Sequence, residues 1–204
     1  MASQARAVLW DLGHTLVDWN PARVYRELLP DDDAVEAFLG GVCTMAWHSR
    51  HDAGVPMAEN RKPLIAAHPD KADLIRAWDE RWPDMFDGWV DGMEALVEDL
   101  ESAGVPQFAL TNLPAEKWPH IQATYPAIAR FQTAVVSGRE KLIKPDPRIY
   151  QITAERISTA PGETVFVDDR AENIEAARRE GFLGVVFKDA ETTRAVLRGV
   201  GLPV

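Results

Sequence analysis

Five short apolar runs, each closing on a polar or acidic residue, set the rhythm of this chain: RAVLWD (6–11), PQFALTN (106–112), TAVVSG (133–138), ETVFVDD (163–169) and GVVFKD (184–189). Short continuous runs of this kind predict strands buried on both faces. Between the later runs, apolar residues recur at helical spacing. VDGMEALVEDLESAGV (90–105) puts Met93, Leu96, Val97 and Leu100 on one face and stops at Gly104. DPRIYQITAERIS (146–158) and AENIEAARREG (171–181) behave alike, with Gly181 as the second stop. Strands alternating with helices predict an α/β fold with a parallel sheet covered on both sides.

Residues 20–87 leave this rhythm and contain no strand-like run. They read as helices in PARVYRELL (21–29), DDAVEAFLGGVCTMAWHSRHD (32–52) and DKADLIRAWDERW (70–82), with Pro56, Pro63, Pro69 and Pro83 marking the joints. The expectation is a helical insertion, a cap of residues 20–87 between the first strand and a core made of 1–19 and 88–204.

Composition narrows the partners. Of 204 residues, 46% are hydrophobic and 26% charged, enough for a packed core. A net charge of −10 argues against nucleic acid or an anionic membrane, while leaving room for a small anion in a local basic pocket. One cysteine, Cys43, excludes an intramolecular disulfide. No run approaches the about 18 to 20 apolar residues of a spanning helix, and the N-terminal MASQARAVLWDLG lacks a long apolar stretch. These features predict a cytoplasmic protein.

In open parallel sheets the site lies beyond the carboxyl ends of the strands. There this sequence delivers Asp11, Thr111, Asn112, Ser137, Asp168 and Asp169 from distant segments. DLGHT (11–15), LTN (110–112), KPDPRIY (144–150) and FVDDRAENIEAARREG (166–181) resemble, in order, the four motifs of the haloacid dehalogenase-like (HAD-like) hydrolases. The resemblance covers nearly the whole chain. It implies a Rossmann-like core with a helical cap after the first motif and, within the family, a branch of small-molecule phosphatases, some acting on sugar phosphates.

The resemblance also distributes roles. Asp11 is the nucleophile. Mg²⁺ is held by the side chains of Asp11 and Asp168 and by the Gly13 carbonyl, with Asp169 a ligand through water or a neighbour in support. Lys144 neutralises charge on Asp11 and on the phosphoryl group. Thr111 and the backbone after it donate to phosphate oxygens, Asn112 supports that loop or touches substrate, and Asn173 orders the acidic loop. The substrate is a small anionic, phosphorylated metabolite.

One position departs from the pattern. Family phosphatases carry a second Asp two residues after the nucleophile, as general acid and base, and here that residue is Gly13. His14 is the adjacent candidate for its work, and substrates with acidic leaving oxygens suffer least from the loss. Three readings follow: a Mg²⁺-dependent phosphatase, a metal-free 2-haloacid dehalogenase using Asp11, and a non-catalytic HAD-like binding module. In the cap, His48 and His51 stand three apart without a third ligand. That reads as a wet helix face or a cap surface over the substrate rather than a metal site. Arg23 and Arg50 are candidates to reach an anionic substrate, which sequence alone does not decide.

Overall fold

The computed structural model describes residues 4–204; the first three residues of the expected core segment 1–19 lie outside the described residues. The five apolar runs form one sheet. Its strands are β1 (Ala7–Trp10), β4 (Gln107–Thr111), β5 (Thr133–Val136), β6 (Thr164–Asp168) and β7 (Leu183–Val186), all parallel, in the order β5-β4-β1-β6-β7. β1 is central, so its side chains alternate between two buried layers: Val8 and Trp10 join one cluster, Ala7 and Leu9 the other. The Trp10 indole donates to Gln107 Oε1 at 2.9 Å and the Gln107 amide donates to the Val97 carbonyl. That chain satisfies the buried polar atoms between β1 and β4.

The helices are α1 (Ala22–Leu28), α2 (Asp32–Gly41), α3 (Met45–Asp52), α4 (Met57–Ala67), α5 (Ala72–Glu80), α6 (Met93–Ser102), α7 (Trp118–Thr124), α8 (Pro126–Ala129), α9 (Ser137–Glu140), α10 (Pro147–Arg156), α11 (Ala171–Arg179) and α12 (Ala190–Gly199). No helix among them is long and apolar enough to cross a membrane. The expected helices over 90–105, 146–158 and 171–181 appear as α6, α10 and α11, each trimmed at its ends.

The insertion after β1 holds α1 to α5 and differs from expectation in three places. The helix expected over 32–52 is broken: Gly40 and Gly41 end α2 weakly, and Thr44 caps a new helix by accepting from Trp47 N–H at 3.1 Å. Pro63 marks no joint, because it lies inside α4. There it forgoes one backbone bond, while the Asn60 side chain donates to the Trp47 carbonyl and ties the helix to α3. The insertion is also not purely helical. β2 (Val17–Trp19) and β3 (Phe86–Trp89) pair antiparallel into a two-stranded ribbon at the points where the chain leaves and re-enters the core.

The loop after β4 is laced to the start of α9. Ser137 Oγ accepts from Leu113 N–H at 2.9 Å, and Gly138 N–H donates to the Leu113 carbonyl at 3.1 Å. A Cβ at Gly138 would stand 2.4 Å from the Ala115 nitrogen and 2.8 Å from the Leu113 oxygen, both backbone. Gly138→Ala therefore has to push this loop away, and we expect a loss of about 1–3 kcal/mol in stability. Urea denaturation of wild type and variant checks it; coincident midpoints would refute the close-approach account.

Candidate active site

The sheet places its polar residues where the strands end. Asp11 follows β1, Thr111 closes β4 with Asn112 after it, and Asp168 closes β6 with Asp169 after it. Lys144 comes from the loop before α10, and its ammonium is almost wholly buried. It donates to Asp11 Oδ1 and to Asp168 Oδ2, each at 2.7 Å, and to the Leu110 carbonyl at 3.0 Å. The loop is held from the other side: Asn112 Oδ1 accepts from Lys144 N–H at 2.8 Å, and its amide donates to the Lys144 carbonyl at 3.1 Å. Asn112 thus positions Lys144 with both ends of its side chain.

Asp168 is fully buried and fully engaged. It accepts from Lys144, from Arg170 N–H at 2.8 Å, and from the Asn173 amide at 2.9 and 3.0 Å. Asp11 Oδ1 also accepts from Leu12 N–H at 2.7 Å, and neither of its contacts uses Oδ2. Carboxylate oxygens of Asp11, Asp168 and Asp169 lie within 4.8 Å of one another. Burial pushes Asp11 well above the usual carboxylate range; Lys144 pulls it down, and Asp168 and Asp169 push it up. Asp169 is raised too, by burial and by the Asp168 charge. Burial alone would lower Lys144, and the two carboxylates reverse that. Three carboxylates close together with one ammonium leave an excess of negative charge, and oxygen donors of this kind suit a hard divalent cation.

Asp11, Asp169 and Lys144 form the floor of a cavity of about 160 Å³ between core and cap, with Asp168 buried beneath it. Gly13, His14, Thr111 and Asn112 line it beside the carboxylates. His14 is exposed in a left-handed turn, φ 58°, with its ring edge-on to Trp19. Gly13 has no left-handed φ, and a Cβ there would meet nothing within 4 Å. The backbone does not demand glycine at this place.

The insertion and the ribbon at its base supply the roof, and here the sequence signal was thin. Trp19, Met45, His48, Asp52, Trp82 and Phe86 all face the cavity. His48 and His51 are not on a wet face: both are buried, and His48 stacks on Trp19 with ring centroids 5.3 Å apart. Burial, aided by His51, pushes His48 down to about 3. Burial also takes His51 down to about 4, against the pull of Asp79, so both imidazoles are neutral near pH 7. Among the described residues, the one group with metal-ligand geometry is the acidic cluster, not this pair. Arg23 pairs with Asp18 and the Met85 carbonyl, and Arg50 is exposed outside the cavity; neither meets the site. Arg170, unremarked in the sequence reading, lines it.

Comparison with known families decides the wider question. Residues 5–181 match the model of the haloacid dehalogenase-like hydrolases. The chain belongs to that family. A sesquiterpene phosphatase of Aspergillus oryzae is 26% identical over 204 residues, covering 97% of each chain. Hexitol phosphatase A of Escherichia coli is 30% identical over 81% of this chain and 75% of its own. An (S)-2-haloacid dehalogenase of Burkholderia cepacia is 36% identical over a shorter stretch, 61% of this chain and 48% of its own. A HAD family enzyme of Bacteroides thetaiotaomicron, solved as a magnesium complex, shares the fold with a TM-score of 0.72 at 19% identity, covering 96% of this chain and 99% of its own. The parallel sheet, the insertion after β1 and this HAD-like match agree with one another.

Among the described residues, Lys144 is the only cation bonded to the buried carboxylates of this HAD-like site. Lys144→Met keeps its length and removes its charge, stranding Asp11 and Asp168. Breaking a buried pair in this way costs about 3–5 kcal/mol. Denaturant unfolding in the presence of chelator measures the loss, and a change below about 1 kcal/mol would show that the ammonium does not hold the site together.

Proposed function

We propose that this hydrolase is a Mg²⁺-dependent phosphatase acting on a small organic monophosphate through an aspartyl-phosphate on Asp11. Residues 20–87 act as its cap over a core of 1–19 and 88–204. The observation that carries the reading is the meeting of Asp11, Asp168 and Asp169 at the cavity floor, with Lys144 bonded to the first two. The phosphatases among its relatives support it, as does the Bacteroides enzyme, which was also solved with magnesium and inorganic phosphate.

The chemistry follows from the contacts. Asp11 Oδ2, free of protein donors, attacks phosphorus while the bond to the leaving oxygen breaks, and water then hydrolyses the acyl phosphate. Lys144 keeps Asp11 oriented and offsets negative charge that accumulates on the phosphoryl group. Thr111 and the backbone after it receive phosphate oxygens. Asp11, Asp168 and the Gly13 carbonyl would hold the cation, with Asp169 beside them. When bound, that ion supplies Lewis-acid polarisation of the phosphoryl oxygens. The rest of the substrate meets Trp19, Met45, Trp82, Phe86 and Ile121, which favours an organic part with an apolar or flat surface.

Metal-free dehalogenation is favoured by one feature, Gly13, because halide leaves without a proton. It gives no work to Asp169. The two readings part under chelation. We expect Asp11→Asn to lower phosphate release to background with an unchanged fold, and excess chelator to abolish it reversibly, in a screen of phosphorylated metabolites and 2-haloacids. Halide release that survives chelator would turn the assignment to the dehalogenase.

A further inference from the structure

Building on the phosphatase reading, we propose that Asp52, on the last turn of α3 in the cap, is the general acid and base of this enzyme, in place of the carboxylate missing at Gly13. Asp52 lines the cavity that Asp11 and Lys144 floor. It is buried, 7% exposed, and its Oδ1 has no hydrogen-bond partner. A buried, unsatisfied carboxyl is costly wherever it serves only packing. This one faces the space that the substrate enters.

Its neighbours are suited to a proton donor. On its own helix, His48 Nε2 stands 3.5 Å from Oδ1, and that imidazole is neutral. From the core, Lys144 and Asp11 act on it across the cavity. α9, which packs against α3, brings Arg139 and Glu140, but Glu140 is paired with Arg156 and Arg139 lies over Trp118; α4, also packed against α3, brings Glu59 and Lys62, paired with each other, and Arg61, paired with Asp79, and none of these lines the cavity. Among the described residues, no lysine or arginine is bonded to Asp52. Burial pushes its carboxyl up, Lys144 lowers it and Asp11 raises it, to about 7. A general acid works best with its proton affinity near the ambient pH. His14, the neighbour suggested by sequence, is exposed at the rim instead.

The proton count closes. As Asp11 Oδ2 bonds to phosphorus, the P–O bond to the leaving group breaks, and the Asp52 proton goes to the departing oxygen. Asp52, now a carboxylate, takes a proton from the water that attacks the aspartyl-phosphate. Phosphate and Asp11 are released, and Asp52 is again protonated.

The test is a leaving-group series with Mg²⁺, from acyl and aryl phosphates to simple alkyl phosphates. In wild type we expect a shallow dependence on leaving-group pKa. Asp52→Asn should steepen it, with a loss of about 10²–10⁴ on alkyl phosphates and a far smaller one on acyl phosphates. Adding Gly13→Asp to that variant should flatten the series again, because the open space at 13 admits the side chain. Rescue also certifies that the variant folds. In wild type, only the protonated carboxyl donates, so the rate on alkyl phosphates should fall as pH rises through about 7 while that on acyl phosphates does not. An unchanged slope in Asp52→Asn overturns the proposal, and so does a slope that steepens in His14→Ala instead. Wild type inert toward every phosphate would overturn the phosphatase reading and this one with it; turnover with an unchanged slope overturns this one alone.

Discussion

Everything at the carboxyl end of the sheet hangs on one buried ammonium. Lys144 Nζ touches Asp11, Asp168 and the Leu110 carbonyl, which belong to or follow β1, β6 and β4. It therefore ties three neighbouring strands at the point where their backbones stop pairing. Two carboxylates brought together in a medium of low dielectric repel strongly, and only an opposite charge between them makes the arrangement tolerable. The ammonium is itself fixed by Asn112, whose amide group brackets the Lys144 backbone from β4's end. Order in the site runs along this path, from strand ends to Asn112, to Lys144, to the carboxylates.

The arrangement is incomplete in charge. Asp168 spends its oxygens on Lys144, Asn173 and a backbone amide, whereas Asp11 and Asp169 are left raised above the ordinary range. A core selected for stability alone would replace such a group with apolar residues. The excess charge is useful to a site that handles a cation and a phosphoryl group, because both arrive with charge of their own. The cavity walls above it are aromatic, so the field of these groups acts where little water competes.

The core was legible because each strand is a compact run ended by a chemically informative residue. Asp11, Thr111 and Asp168 could be set on one rim from chain order alone, and the parallel sheet puts them there. Lys144 was assigned by its motif; its three bonds were not readable, because two join segments 34 and 24 residues apart and the third reaches back to Asp11 at the first strand. The cap was legible only as helical. Its ribbon rests on strands of three and four residues, too short for a period to show. The break between α2 and α3 depends on two glycines and a threonine cap that a broad helical pattern conceals. Of the two readings open for His48 and His51, the wet face fails, because Trp19, Trp78 and Trp82 arrive from other elements to bury His48, while the surface over the cavity holds for His48. Asp52 was missed for the same reason: it ends a polar-looking WHSRHD, and only the fold turns it inward.

Gly13 and Asp52 are best understood together. If glycine were needed for the turn, its φ would lie in the left-handed region; it does not, whereas that of His14, the next residue, does. The strained angle of this loop has thus been placed on a residue with a side chain, and the relaxed one on the residue without. What glycine provides is room, since nothing stands within 4 Å of where its Cβ would be and the position lines the cavity. A carboxylate on the strand loop would occupy that room permanently. A carboxyl on α3 reaches the same cavity from the insertion instead. Burial is the main reason its proton is held near neutral pH.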